Sequence, residues 1–182
     1  MRRALLLSVL LAAAAAGPVV AQKHDSNADI DFGGDHMELQ DKQNRVILSG
    51  NVVIKQAEMT LRAQRVTVAY TGKATSGTPK ASRIDATGGV VVTRPDQTAR
   101  GSYGIYDVNR RVVILLGGVT LTQGANTVSG ARLTINLDSG RAVIDGAGTA
   151  SAVDGAKVPT TGGSGRVTGR FTVPKRDQTP AK

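Results

Sequence analysis

The chain has 182 residues, with 23 lysines and arginines against 14 acidic residues, a formal net charge of +9, and no cysteine. The missing cysteines exclude a disulfide framework, thiol nucleophiles and thiolate metal sites. The positive charge suits an anionic partner such as phosphorylated lipid or nucleic acid, but two Phe, three Tyr and no Trp leave few platforms on which single-stranded nucleic acid could stack.

The chain opens with MRRALLLSVLLAAAAAGPVVAQ, which has a basic start (Arg2, Arg3), an apolar run from Ala4 to about Ala16 and a helix break at Gly17-Pro18. Val19, Val20 and Ala21 then offer small residues for cleavage, so residues 1–21 read as a signal peptide and Gln22 as the mature N-terminus. The apolar run is shorter than the roughly 20 residues that span a bilayer. A retained anchor is the competing reading, and N-terminal sequencing of the exported protein separates the two. Removing Arg2 and Arg3 from +9 leaves +7 on a mature chain long enough for one domain.

Downstream, apolar residues alternate or cluster in runs rich in Val, Ile and Thr, bounded by Gly, Asp, Asn and Ser. The pattern is all-β, with no significant helix after the signal peptide. Predicted strands run Ala28–Phe32, His36–Leu39, Arg45–Ser49, Val52–Gln56, Met59–Ala63, Val66–Tyr70, Ser82–Ala86 and Val90–Thr93. They continue with Gly104–Val108, Val112–Leu116, Val119–Gln123, Thr127–Ser129, Arg132–Leu137 and Arg141–Asp145, and a last one lies within Val167–Val173. RVILSGNVVI from Arg45, RIDATGGVVV from Arg83 and RVVILLGGVTL from Arg111 share one design, an apolar strand, a glycine step and a second apolar strand. Stacking of such units in a solenoid-like manner is the natural inference, with each glycine allowing a bend between two sheets. Pro95 belongs in a turn or at an edge. Residues 71–80 read as a long mobile loop, 147–165 as a Gly/Ala/Thr-rich linker and 175–182 as a charged tail.

No polar constellation reads as a catalytic or metal centre. His24, Asp25, Asp29, Asp31, Asp35, His36 and Glu38 match neither a calcium loop nor a helical His pair, and read as outward positions of an edge-forming start. Gly163, Gly165 and Gly169 lack the Lys-Ser/Thr and the helix of a phosphate loop. With both histidines in that start, a nucleophile has no positioned base, and the chain reads as a non-enzyme without cofactor. Alternation places Lys55 in water and Val52 and Ile54 inward, with Val66, Val68 and Tyr70, Val119 and Leu121, and Leu133, Ile135 and Leu137 on the same side. These stripes form either an ordinary closed core or an apolar groove open to alkyl chains.

The segment IDFGGDHMELQDKQNRVILSGNVVIKQAEMTLRAQRVTVAY, residues 30–70, resembles the OstA-like family of lipopolysaccharide-transport proteins, most closely its periplasmic bridge members. The marks are Asp35 after a short first strand, Leu39, the Ser-Gly-Asn-Val step at 49–52, and the Leu-x-Ala-x-Arg-Val-x-Val run from Leu61 to Val68. Gly101 to Tyr106 and VVILLGGVTLTQGANTVSGARLTINL look like a second copy. The resemblance spans residues 28–146, with 166–174 as a closing strand. It implies a twisted β-jellyroll of two antiparallel sheets with the acyl chains of lipid A between them and basic residues meeting its phosphates. Ile30, Phe32, Val91, Tyr106 and Val108 would line that groove, together with Leu61 and the inward residues above. The implied partners are lipopolysaccharide, an LptC-like inner-membrane component, an LptD-like outer-membrane translocon and further copies of the chain joined through edge strands. The implied location is the periplasm. Two alternatives stay open: an LptC-like anchored component of the same pathway, and a structural β-domain that joins envelope proteins without lipid.

Overall fold

The computed structural model describes residues 24–72, 79–146 and 166–170. The expected signal peptide, the linker, the charged tail and most of the 71–80 loop lie outside the described residues. Ten strands follow in chain order: β1 Ile30–Gly33, β2 His36–Gln40, β3 Arg45–Gln56, β4 Met59–Thr71, β5 Lys80–Thr93, β6 Thr98–Asp107, β7 Val112–Gln123, β8 Asn126–Asn136, β9 Ala142–Asp145 and β10 Thr168–Arg170. The only helical element among the described residues is the short 3-10 turn Asp41–Gln43 between β2 and β3.

All pairings are antiparallel, and β3 to β8 run as a meander in which each strand pairs with the next. The predicted short strands are therefore halves of long ones: Arg45–Ser49 and Val52–Gln56 are one strand, β3, and the same holds for β4, β5, β7 and β8. The repeats do not stack as solenoid units. They are successive hairpins of a single sheet, since direct antiparallel pairing satisfies the backbone between neighbouring copies.

Each glycine step is a β-bulge inside a strand. The register shifts between Ser49 and Val52, between Thr87 and Val90, and between Leu116 and Val119. At all three, two consecutive residues have positive φ: Gly50 and Asn51, Gly88 and Gly89, Gly117 and Gly118. Two residues thus oppose one on the partner strand, which bends the sheet locally. The bulges align from strand to strand and divide the sheet into two leaves. The first leaf holds β2, β9 and the halves of β3 to β8 that contain Val46, Val66, Ile84, Tyr106, Val113 and Leu133. The second holds β1, β10 and the halves that contain Ile54, Leu61, Val92, Ala99 and Leu121. A single buried cluster takes side chains from both leaves, so the leaves face each other across one core. Among the described residues the edge strands β1 and β2 pair only with β3, and β9 and β10 only with β8, so the described sheet is unclosed.

The first bend also explains the isolated Asp35. Its backbone N–H donates to Gly50 O at 2.9 Å and its carboxylate accepts from the Asn51 amide at 2.8 Å, so the β1–β2 corner lies directly over the bulge. A Cβ on Gly50 would meet the Asp35 carboxylate at 2.5 Å in a backbone conformation, φ +76°, that L side chains rarely adopt. Pro95 sits in the β5–β6 turn, flanked by the Arg94 and Gln97 backbone hydrogen bonds, where its missing N–H costs nothing.

Gly50→Ala is expected to destabilise the fold by more than about 1 kcal/mol, because strain and collision act together. Leu133, fully buried between the leaves, should cost about 2–5 kcal/mol as Leu133→Ala. Urea unfolding followed by circular dichroism reads both, and a Gly50→Ala variant as stable as the parent would contradict the bulge account.

Candidate functional site between the leaves

The space between the leaves is walled by apolar rows that run across neighbouring strands. In the first leaf one row passes from Leu39 through Val46, Val68, Ile84 and Tyr106 to Val113. A second passes from Met37 through Leu48, Val66, Ala86 and Gly104 to Leu115. The second leaf contributes Phe32, Ile54, Leu61, Val92, Ala99 and Leu121. Exposure drops steeply from the edge inward: Phe32 is 46 % exposed and Ile54 1 %, Met37 58 % and Leu48 1 %, Leu39 51 % and Val46 9 %. The middle of the space is packed shut, and its apolar lining comes to the surface at the β1/β2 edge.

Most of the predicted lining residues meet in this space. Val52, Ile54, Leu61, Val66, Val68, Tyr106, Leu133 and Ile135 are buried in the shared cluster, and Ile30, Val108 and Leu121 pack against it while partly exposed. Phe32 shares the face of Ile54, opposite it in the ladder, but stands exposed at the end of its row. Val91 does not join them. It lies opposite Arg62 on β4 and Arg100 on β6, both exposed, whereas Val90 and Val92 are buried. A run of three valines carries no alternation, so only the register set by the Gly88-Gly89 bulge decides which of them turns inward. Met37 and Leu39 were missed. The signal was available in the alternation of HMELQ, whose apolar positions pair with Leu48 and Val46.

Polar groups cross the space at Gln56 and Tyr106. Gln56, 2 % exposed at the far end of β3 in the second leaf, accepts a hydrogen bond from the Tyr106 hydroxyl of the first leaf at 2.6 Å. Its amide nitrogen donates to the carbonyls of Ser26 and Ala28, at 3.1 and 3.0 Å. The segment before β1 therefore passes across the leaf ends instead of lying free. His24, expected in a solvated, edge-forming start, is 4 % exposed, with Nδ1 3.8 Å from the Glu58 carboxylate. Burial of the N-terminal segment against the β3–β4 turn is the reason.

Several cations are already committed to partners. Arg83 makes a two-pronged contact with Asp85, which also accepts from the Tyr103 hydroxyl, and this hydrogen bonding holds the guanidinium above its ordinary range. Arg111 binds Asp138 at 3.2 Å. Lys55 is exposed on the outer face beside Asp31, as alternation required. Two surface hollows, one bordered by Thr127, Ser129, Thr168 and Arg170 and the other by Arg62, Gln64, Gly88 and Gly89, lie along strand pairs and not in the sealed middle of the space.

Burial pushes the Tyr106 hydroxyl up to about 12. It also raises Tyr70 and Tyr103, whose hydrogen bonds to Asp41 and Asp85 add to the effect. A folded-state value above the unfolded one gives stability that is complete below the unfolded pKa of about 10 and is lost as pH rises through the folded value. Unfolding free energy should thus fall between about pH 10 and 12, and Tyr106→Phe should flatten that fall in urea titrations; an unchanged slope would detach Tyr106 from it.

Comparison with known proteins agrees with this geometry. A family model described as LptA/(LptD N-terminal domain) LPS transport protein matches residues 33–141, more than half of the chain. An uncharacterized protein of Rhizobium meliloti (strain 1021) is 30% identical over 148 residues, covering 79% of this chain and 80% of that one. Among solved structures, LptH, the LptA homologous periplasmic component of the lipopolysaccharide transport device from Pseudomonas aeruginosa, aligns with a TM-score of 0.66 and 19% identity, over 82% of this chain and 99% of that one. The two bent leaves are thus the LptA-like fold, and the chain belongs to the LptA/LptD N-terminal-domain family of lipopolysaccharide-transport proteins.

Proposed function

We propose that the protein is a periplasmic carrier that holds lipopolysaccharide by its acyl chains between the leaves and forms part of a bridge from the inner to the outer membrane. The observation that carries this reading is the continuity of the apolar rows: the lining of a sealed interior emerges at one edge as Phe32, Met37 and Leu39. Large apolar side chains that continue an inward row to the surface show that the lining of the interior suits alkyl chains. Each buried methylene contributes roughly 0.8 kcal/mol, so an interior that encloses only part of each chain lets cargo pass onward. The exposed basic residues suit the phosphates of such a lipid.

Among the described residues, β1 and β2 at one end and β9 and β10 at the other have no further strand paired to them, and such edges suit an incoming strand. They suit end-to-end joining of copies of this chain, with an LptC-like component at one terminus and an LptD-like translocon at the other. A second reading has its own observation. Ile84, Val66 and Leu133 are completely buried, as in a closed core, which favours a structural domain that joins envelope proteins without lipid.

Photo-crosslinkers at Phe32 and Leu39 should capture lipopolysaccharide in cells, and one at Lys55 should not. Equal capture at Lys55, or none anywhere, would decide for the structural reading. Light scattering of the purified protein should show assembly that grows with concentration and dissolves on dilution; a monomer at every concentration would remove the bridge.

A further inference from the structure

Residues 24–28 join the two leaves on the side opposite the bend. Because the strands are bent at the bulges, the ends of the leaves that lie far from the bulges form the mouth of the space between them. At the mouth, the second leaf ends in the β3–β4 turn with Gln56 and Glu58, and the first leaf in the β6–β7 and β8–β9 turns with Arg111 and Asp138. The segment 24–28 contacts both sides. Gln56 donates to the Ser26 and Ala28 carbonyls, and His24 lies beside Glu58. On the other side the Ser26 hydroxyl donates to Asp138 at 3.4 Å, and Arg111 donates to the Asn27 side-chain oxygen at 2.8 Å while its other nitrogen holds Asp138. A turn closed by Asp25, which accepts from the Asn27 and Ala28 backbone N–H groups, keeps the segment compact enough to bridge the gap.

This crosspiece is held by polar contacts at Ser26, Asn27 and Ala28 and by the buried His24 side chain. Neither ring nitrogen of the buried His24 has a hydrogen-bond partner among the described residues, and leaving such groups unsatisfied weakens the closed arrangement. A short segment outside the strand ladder with unsatisfied buried polar atoms opens before the sheet does. Beneath it, the Gln56–Tyr106 hydrogen bond links the leaves directly, and Gln56 serves both it and the crosspiece.

We infer that residues 24–28 are a latch across the lateral mouth of the interleaf space, and that the alkyl chains of an amphiphilic lipid enter there when the latch leaves Gln56 and Asp138. The inference rests on the lipid-carrier reading above and adds the route of entry. Release frees Gln56 from two backbone carbonyls at once, so the Tyr106 link loses its support and the leaves part along the mouth. Entry at the mouth also lets the lipid headgroup stay in water beside the leaf tips while its chains slide between the rows.

The absence of native cysteine allows a direct test. In the full-length exported protein, Ser26→Cys with Asp138→Cys places two thiols where oxygens stand 3.4 Å apart, and the reduced form serves as its own control. Loading of purified lipopolysaccharide, followed by co-elution over time, should be at least about tenfold slower when oxidised and recover with reductant. Gln56→Leu, which removes three hydrogen bonds each worth roughly fivefold in the opening equilibrium, should load faster than the parent. Hydrogen exchange of the Val52–Gln56 amides, read without lipid, should slow in the oxidised form and quicken in Gln56→Leu. Equal loading by oxidised and reduced protein overturns lateral entry and assigns entry to the β1/β2 edge. If no form loads lipid while exchange still follows the latch, the carrier reading fails and the latch stands as a clamp on the leaves; if exchange is also indifferent, both fail.

Discussion

Everything in this molecule depends on the backbone ladder surviving a bend. Six strands, β3 to β8, pass from one leaf to the other without giving up their neighbours, and a sheet can turn so sharply only where one strand carries an extra residue. Paired left-handed residues at 50–51, 88–89 and 117–118 supply that excess. Because they recur on alternate strands at matching heights, the bends align into one crease. The crease brings two apolar faces together, and their burial is then available as a core without disulfides, since the chain has no cysteine.

The same geometry explains why some features were legible in the sequence and others were not. Alternation identified Val66, Val68, Leu133 and Ile135 as inward residues, because apolar and polar positions take turns there, and Lys55 set the phase that turned Val52 and Ile54 inward. Val91, expected inward only from the family resemblance, lies in a run of three valines whose facing is left to a bulge. The glycine steps were visible as a repeated motif, but a Gly-Gly or Gly-Asn pair serves equally well as a hairpin turn or a bulge. Which of these forms depends on whether the next apolar run pairs with the previous strand or continues it, and that is decided by long-range pairing. The short-strand and stacked-repeat expectations erred for that reason.

Polar contacts of long sequence separation were hidden for a different reason. Gln56 meets Ser26, Ala28 and Tyr106, and nothing in the pattern around a glutamine at the end of a strand announces partners 28 to 50 residues away. The structural use of the N-terminal acidic and histidine residues was not legible: Asp35 braces the first bend, Asp25 shapes a turn and His24 is buried. The groove residues drawn from family resemblance fared unevenly, with Tyr106 deep inside, Phe32 at the rim and Val91 on the outside.

The single crease has a mechanical consequence. Since every long strand belongs to both leaves, no strand can swing outward alone without breaking hydrogen bonds to two neighbours. Motion that widens the interior must be shared by all six, like the covers of a book turning on one spine. A contact made between the leaf tips therefore resists the opening of several strands at once and not of one alone.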